Sequence, residues 1–404
     1  MGKKSSDLEK IAEGLDISPS MHKYAVERYQ GIAKYLEEKG IIADFSPQGS
    51  FRTGTVTRPM RDGKETDFDI DVVCTLTYDK RKISAKEVKK IVGEALCDNK
   101  TYKEKLLPED DRCWSLAYAN ITETIGLMMD IVPSVPEDSQ GVMRLMAKSI
   151  DYKYAKSALS ITDRKNGNYY WLPSNPEGFG LWFDEINEPF LQSVIKEQKE
   201  YIYNNYRSLF GIYASVEEVP DYYVKSPLQR VIQILKRHRD IYYYRNDKLT
   251  KLRPASIIIT SLAARIAQNA SVLELEELLA CIVNEIAEYV SLLQGIVPKA
   301  RYNSEIRNLI QKVGGKWYIP NPVDSDDNYA DGWDDKTAKA FFEWIKVVKR
   351  DLSDTQYSDN QRYITGLKTS FGKDYVNSKL ELKEQEFSYS QPATITNITK
   401  PWGE

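Results

Sequence analysis

The sequence predicts an α+β protein of two lobes: a first half built on a mixed β-sheet and a helical second half, meeting near residue 190. Three observations predict it. β-branched runs with alternating apolar residues cluster before that point, apolar residues at helical spacing dominate after it, and 404 residues suffice for two or three domains. The expected division is 1–190 for the first lobe with its N-terminal helices, 191–383 for the helical lobe, and 384–404 for a polar, mobile tail.

From Asp7 to about Lys39 the apolar residues recur at helical spacing, with an interruption at Ile17-Ser18-Pro19, so two helices are expected. Gly40 ends the second, and Ile41 to Phe45 reads as a strand. The polar stretch from Pro47 to Lys64 reads as a turn or short helix. Phe68 to Leu76 alternates and is rich in β-branched residues, which predicts a strand. Ser84 and Glu87 form a capping box for a helix reaching Leu96. Trp114–Tyr118 and Ile125–Pro133 read as strands, and the chain stays strand- and turn-like to about Phe190. Helices are then expected over Pro189–Tyr206, Ser226–Tyr244, Pro254–Asn269, Val272–Gly295 and Lys336–Leu352, the second opened by a capping box at Ser226-Pro227-Leu228-Gln229.

Composition narrows the function classes. Lys plus Arg (56) against Asp plus Glu (59) gives a net charge of −3, which argues against a surface devoted to gripping a long nucleic acid. Four scattered cysteines and two histidines argue against zinc and disulfides and fit a reducing, cytoplasmic setting. No apolar h-region follows the N-terminal lysines, so no secretory signal is expected, and Gly2 offers only a chance match to a myristoylation start. The longest apolar stretch, Ile257 to Ile266, is broken by Thr260, Ser261 and Arg265, so no membrane span is expected.

The chemistry concentrates around Asp69-Ile70-Asp71. On a strand, residues i and i+2 share a face, so both carboxylates project together while Ile70 and Val72 enter the core. Adjacent carboxylates repel unless a cation lies between them, and an all-oxygen donor set without His or Cys selects Mg²⁺ or Mn²⁺. Asp130, inside the apolar strand Leu127–Pro133, is costly unless paired or metal-bound. Three converging carboxylates can hold two metals about 3.5–4 Å apart, activating an attacking hydroxyl and neutralising a leaving pyrophosphate. Nucleotidyl transfer is the predicted chemistry.

Gly49-Ser50, at the end of the preceding strand, lets backbone amides approach phosphate closely. From Lys236 to Arg253, seven Lys/Arg stand against two Asp, a local +5 leading into Arg253-Pro254-Ala255-Ser256. Pro254 reads as a helix start with the Ser256 hydroxyl in its first turn, where a terminal phosphate is favoured. His238 reads as a packed helix residue rather than a catalyst.

Gln48-Gly49-Ser50-Phe51-Arg52-Thr53-Gly54-Thr55, then Asp67-Phe68-Asp69-Ile70-Asp71-Val72, then Met129-Asp130-Ile131-Val132-Pro133 resembles the polymerase-β-type nucleotidyltransferases, and most closely the bacterial CD-NTases, relatives of animal cyclic GMP-AMP synthase and oligoadenylate synthase. Ser174–Phe179, Leu235–Asp240 and Asn328–Trp333 look like phrases of the same family, so the resemblance spans residues from about 20 to 350. It implies a polymerase-β-like core and an oligoadenylate-synthase-like helical lobe. It implies that Asp69, Asp71 and Asp130 are catalytic and hold two Mg²⁺ ions (or Mn²⁺), that Gln48, Gly49 and Ser50 hold the donor triphosphate, and that Lys236 and Ser256 touch donor phosphates. Asp67-Phe68-Asp69 has the same spacing as Asp69-Ile70-Asp71; the latter is chosen because the strand continues after it.

The implied function is to join nucleoside triphosphates into a cyclic di- or trinucleotide, releasing pyrophosphate. The product activates the effector of a CBASS anti-phage system. Control by a regulatory or C-terminus-conjugating protein is expected in place of a long nucleic-acid activator, although the terminal Pro401-Trp402-Gly403-Glu404 departs from a conjugated end. Two other readings share these residues: a template-independent enzyme making linear oligonucleotides or nucleotidylating RNA or protein, and a catalytically silent scaffold.

Overall fold

The computed structural model describes residues 3–58, 60–61, 64–65, 67–118, 126–210, 223–296, 309–354 and 359–382. The 384–404 tail and Gly2 lie outside the described residues.

The first half is built on a mixed six-stranded sheet: β1 (Ala43–Pro47), β2 (Phe68–Leu76), β3 (Trp114–Tyr118), β4 (Leu127–Pro136), β5 (Leu159–Lys165) and β6 (Asn168–Ser174). The order is β1-β2-β4-β5-β6, and β3 also pairs with β4. Only β2 and β4 run parallel. The far edge of β4 is shared, its first half pairing with β3 and its last residues with β5.

Alternation works on β2 as predicted, with Phe68, Ile70 and Val72 fully buried and Asp69 and Asp71 on the more open face. The buried face packs on the helices Pro19–Glu38 and Ala85–Asp98 through Ile32, Leu36, Val88 and Val92. Ser18 starts the first of these helices by accepting from the Met21 amide, and the Ser84/Glu87 capping box is fully formed on the second.

The second half is an α-helical assembly around Pro227–Arg245, whose residues are buried without a break from Pro227 to Arg239. Its core draws in Ile258, Leu262, Leu278, Ile282, Phe341 and Trp344 from the helices Ser256–Ala267, Leu275–Glu288 and Asp335–Val348. It also takes Leu8, Ile11 and Leu15 from the first helix, Lys3–Glu13, and Phe179, Trp182 and Phe183 from Pro176–Gln192. The apolar partition therefore interleaves along the chain.

Three expectations need correction. The stretch before Phe190 carries helices at Ser139–Ala147, Tyr152–Ala155 and Pro176–Gln192, each opened by a side-chain cap from Asp138, Asp151 or Asn175. Pro189 lies inside the last of these rather than starting the next. The third helix after it begins at Ser256, with Ala255 as N-cap, two residues beyond Pro254. Small ribbons at Gln311–Val313/Lys316–Tyr318 and Pro320–Asn321/Asp324–Asn328 also interrupt the helical half. Among the described residues no helix is long and apolar enough to cross a membrane.

Candidate active site

The parallel register of β2 and β4 places Asp71 directly opposite Asp130, with Asp69 opposite Met128. β3 brings Ser115 opposite Asp130 from the other side, and the Ser115 hydroxyl donates to Asp130 Oδ1 at 2.6 Å. Burial, then the neighbouring carboxylates of Asp130 and Asp69, push the Asp71 carboxyl up to about 6, against the opposing pull of Lys236. Asp67 is used differently: its Oδ1 accepts from the Gly126 amide at 2.6 Å, at the entrance to the strand pair.

Gly49–Arg52 forms one turn of helix at the end of β1. The Gln48 amide donates to the Asp71 carbonyl at 2.9 Å, which ties the start of that turn to β2. Gly49 takes φ +59, and a Cβ there would stand 3.2 Å from Asp71 Oδ2. Both the left-handed backbone and the close approach require glycine. Gln48, Gly49, Ser50, Asp69, Asp71 and Asp130 are thus brought together at one end of the β2–β4 pair.

The helical half contributes Lys236, only 4% exposed, whose ammonium donates to the Thr55 carbonyl at 2.9 Å. Burial, reinforced by Arg239, brings this ammonium down to about 7, with Asp240 and Asp71 opposing the shift. The Ser256 hydroxyl accepts from Arg239 Nη1 at 3.0 Å, and the same nitrogen donates to the Pro254 carbonyl. The basic segment Lys236–Arg253 is split, with Arg245, Lys248, Lys251 and Arg253 exposed. Lys236, Arg237 and Arg239 are buried, Arg239 and Arg253 share Asp240, and Arg245 donates to the Thr369 carbonyl. His238 is packed, its Nδ1 accepting from Trp344 Nε1 at 3.1 Å while burial lowers its pKa to about 4.

An all-carboxylate donor set beside a raised Asp71 fits a hard divalent cation, which would relieve the mutual repulsion. Among the described residues no group of three His, Cys, Asp or Glu is gathered closely enough to hold a metal ion.

A separate cavity of about 520 Å³ lies on another side of the Gly49–Arg52 turn, lined by Phe51, Arg52, Gly54, His22, Tyr223 and Lys225 among others. None of the three carboxylates lines it. On its wall His22 stacks on Phe51 at 4.7 Å and Arg52 pairs with Glu177 and Asp184.

Residues 43–128 match the family described as "Cyclic GMP-AMP synthase DncV-like, nucleotidyltransferase domain". Over that segment the chain is similar to DncV-like nucleotidyltransferase domains. The match includes Gly49, Ser50, Asp69 and Asp71 and ends two residues before Asp130. Among curated proteins, the chain is 27% identical to a c-di-GMP synthase of Roseivirga ehrenbergii, covering 94% of this chain and 86% of that protein. It is 24% identical to the cyclic dinucleotide synthase CdnG of Bradyrhizobium diazoefficiens, covering 98% and 87%. In structure it resembles the CD-NTase CdnG of Bradyrhizobium diazoefficiens in complex with GTP (TM-score 0.66, 20% identity, 94% and 99% covered). It also resembles the E. coli MS115-1 CdnC:HORMA-deltaN complex (TM-score 0.57, 14% identity, 91% and 96% covered). The chain therefore has the fold of these two CD-NTases.

Sequence reasoning missed Ser115, Thr55, Gln229 and Gln233 around this domain. Ser115 carried a faint signal, a hydroxyl alternating within a short apolar strand. Gln229 was visible only as the glutamine that closes the Ser226 capping box.

Proposed function

We propose that this nucleotidyltransferase joins nucleoside triphosphates into a cyclic dinucleotide, releasing one pyrophosphate per bond, with Mg²⁺ held by Asp69, Asp71 and Asp130. The observation that carries the reading is the direct opposition of Asp71 and Asp130 beside the left-handed Gly49, a carboxylate pair next to a backbone turn open to phosphate. The names of the two curated relatives support a dinucleotide product, and the GTP complex of CdnG makes GTP the first substrate to test. A bound divalent cation would lower the pKa of the attacking hydroxyl and neutralise the departing pyrophosphate.

The chain's own residues have separable tasks. Gly49 and Ser50 present backbone close to the phosphates, Ser115 orients the Asp130 carboxylate, and Lys236 supplies positive charge from the helical half. Ser256 stands with Arg239 at the start of its helix, a phosphate-facing pair in this reading. Release of the cyclic product to a CBASS effector, and control by a protein partner, belong to the same proposal.

The test is incubation with each radiolabelled nucleoside triphosphate and Mg²⁺, then phosphatase and mass spectrometry. A phosphatase-resistant product with the mass of a cyclic dinucleotide is expected. A phosphatase-sensitive linear ladder would overturn cyclisation, and no product from any combination would overturn the enzyme.

A further inference from the structure

The loop that follows the nucleotide turn is gripped from the other half of the molecule. On the Pro227–Arg245 helix, Gln229, Gln233 and Lys236 are spaced by four and three residues and share a face. Gln229 Nε2 donates to the Thr53 carbonyl at 2.9 Å, Gln233 Nε2 to the Val56 carbonyl at 2.7 Å, and Lys236 Nζ to the Thr55 carbonyl at 2.9 Å. All three side chains are buried. The gripped residues lead directly back to the turn: the Thr53 hydroxyl donates to the Gly49 carbonyl at 3.1 Å, and the Thr55 amide donates to the Ser50 carbonyl at 2.9 Å.

The chemistry at each end demands an amide. Gln229 Oε1 accepts from the Ser226 amide, and Gln233 Oε1 accepts from Arg230 Nη1, so each glutamine is used as donor and acceptor at once. Gln233 Nε2 also donates to Asp16 Oδ1 at 2.8 Å. A glutamate of the same shape would aim a carboxylate at carbonyl oxygens in a buried setting. Gly54 completes the fit. It takes φ +66, and a Cβ there would stand 2.5 Å from Gln229 Nε2.

We propose that Gln229 and Gln233, with Lys236, form a carbonyl clamp through which the helical half positions the Gly49–Ser50 turn for nucleoside triphosphate. The glutamines are positioning residues: they act through Thr53 and Val56 and touch no substrate. The inference rests on the functional reading above.

The experiment measures GTP affinity by calorimetry with Mg²⁺, KM and kcat, and melting temperature, for Gln229→Glu, Gln233→Glu and the uncharged Gln229→Met. Arg144→Gln serves as control, because Arg144 joins the halves elsewhere, at Asp324 and Asp326. All affinities are read at one temperature well below every melting transition. Gln229→Glu and Gln233→Glu should weaken GTP binding about tenfold or more and raise KM more than they lower kcat. Gln229→Met, which removes the donor without adding charge and so guards against a misfolded charged variant, should weaken binding about threefold to tenfold. Arg144→Gln should lower melting temperature and leave affinity within about twofold. Folded Gln229→Met or Gln233→Glu protein that binds GTP as the wild type does overturns the clamp alone. So does equal weakening by Arg144→Gln, which would assign the effect to general contact between the halves. Wild-type protein that binds no nucleoside triphosphate overturns the functional reading and the clamp with it.

Discussion

Asp71 and Lys236 approach the same turn from opposite halves of the molecule, and burial moves both toward neutrality, yet their surroundings differ. Asp71, pushed up to about 6, has two further carboxylates as neighbours; Lys236, brought down to about 7, is already satisfied by the Thr55 carbonyl. The acidic side is an electrostatic deficit that an added cation would relieve, while the basic side is a finished hydrogen-bonded contact. One side of the turn thus carries uncompensated acidic repulsion, and the other a hydrogen bond already made within the protein.

The largest test of that contrast is removal of the acid. Asp71→Asn should cost at least about a thousandfold in nucleotidyl transfer, read as product formed per hour with GTP and Mg²⁺. The same variant should stabilise the metal-free protein. The folded pKa of Asp71 lies above its ordinary 3.8, so the stability it contributes is complete below pH 3.8 and is lost as pH rises through about 6. Denaturant unfolding without metal should therefore show Asp71→Asn gaining about 1–3 kcal/mol at pH 8 and little at pH 4. No gain at pH 8 would break the comparison.

Next in size is Lys236→Met, expected to weaken GTP binding about tenfold to a hundredfold in titration calorimetry. Its pH signature is opposite in sign. The folded pKa of Lys236 lies below its ordinary 10.5, so its contribution is complete above pH 10.5 and is lost as pH falls through about 7. Wild-type stability should rise between pH 7 and 10 more steeply than that of Lys236→Met, measured by thermal melts across that range.

Ser115→Ala sharpens the acidic side. Loss of its 2.6 Å hydrogen bond to Asp130 should lower kcat about fivefold to tenfold and raise the Mg²⁺ concentration needed for half activity, with Mn²⁺ binding followed by electron paramagnetic resonance as an independent readout. The smallest effect belongs to His238→Phe. Its Trp344 contact is structural, so the variant should lose about 1 kcal/mol of stability in denaturant titration with catalytic rate unchanged.

Much of the site was legible in residue order. The Gly49-Ser50 turn, the alternating β2 and the lone acid in β4 each carry a local signature, and local geometry decides which face a side chain takes. The capping boxes at Ser84 and Ser226 were legible for the same reason, since a cap joins residues three apart. The helix Pro176–Gln192 was hidden by Pro, Gly and aromatic punctuation that its tertiary packing against the helical core overrides.

What the sequence by itself determined was the set of groups: a strand-bearing first half and a mainly helical second half, three aspartates on two strands, a glycine turn and a basic helix. What only the tertiary structure decided was how they are partnered. That Asp71 opposes Asp130, that Ser115 steadies it, and that Gln229, Gln233 and Lys236 grip the carbonyls of Thr53, Val56 and Thr55 are facts of contact between segments separated by about 15 to 180 residues. Periodicity says which face of an element a residue occupies, whereas partnership depends on which other face the folded core brings against it.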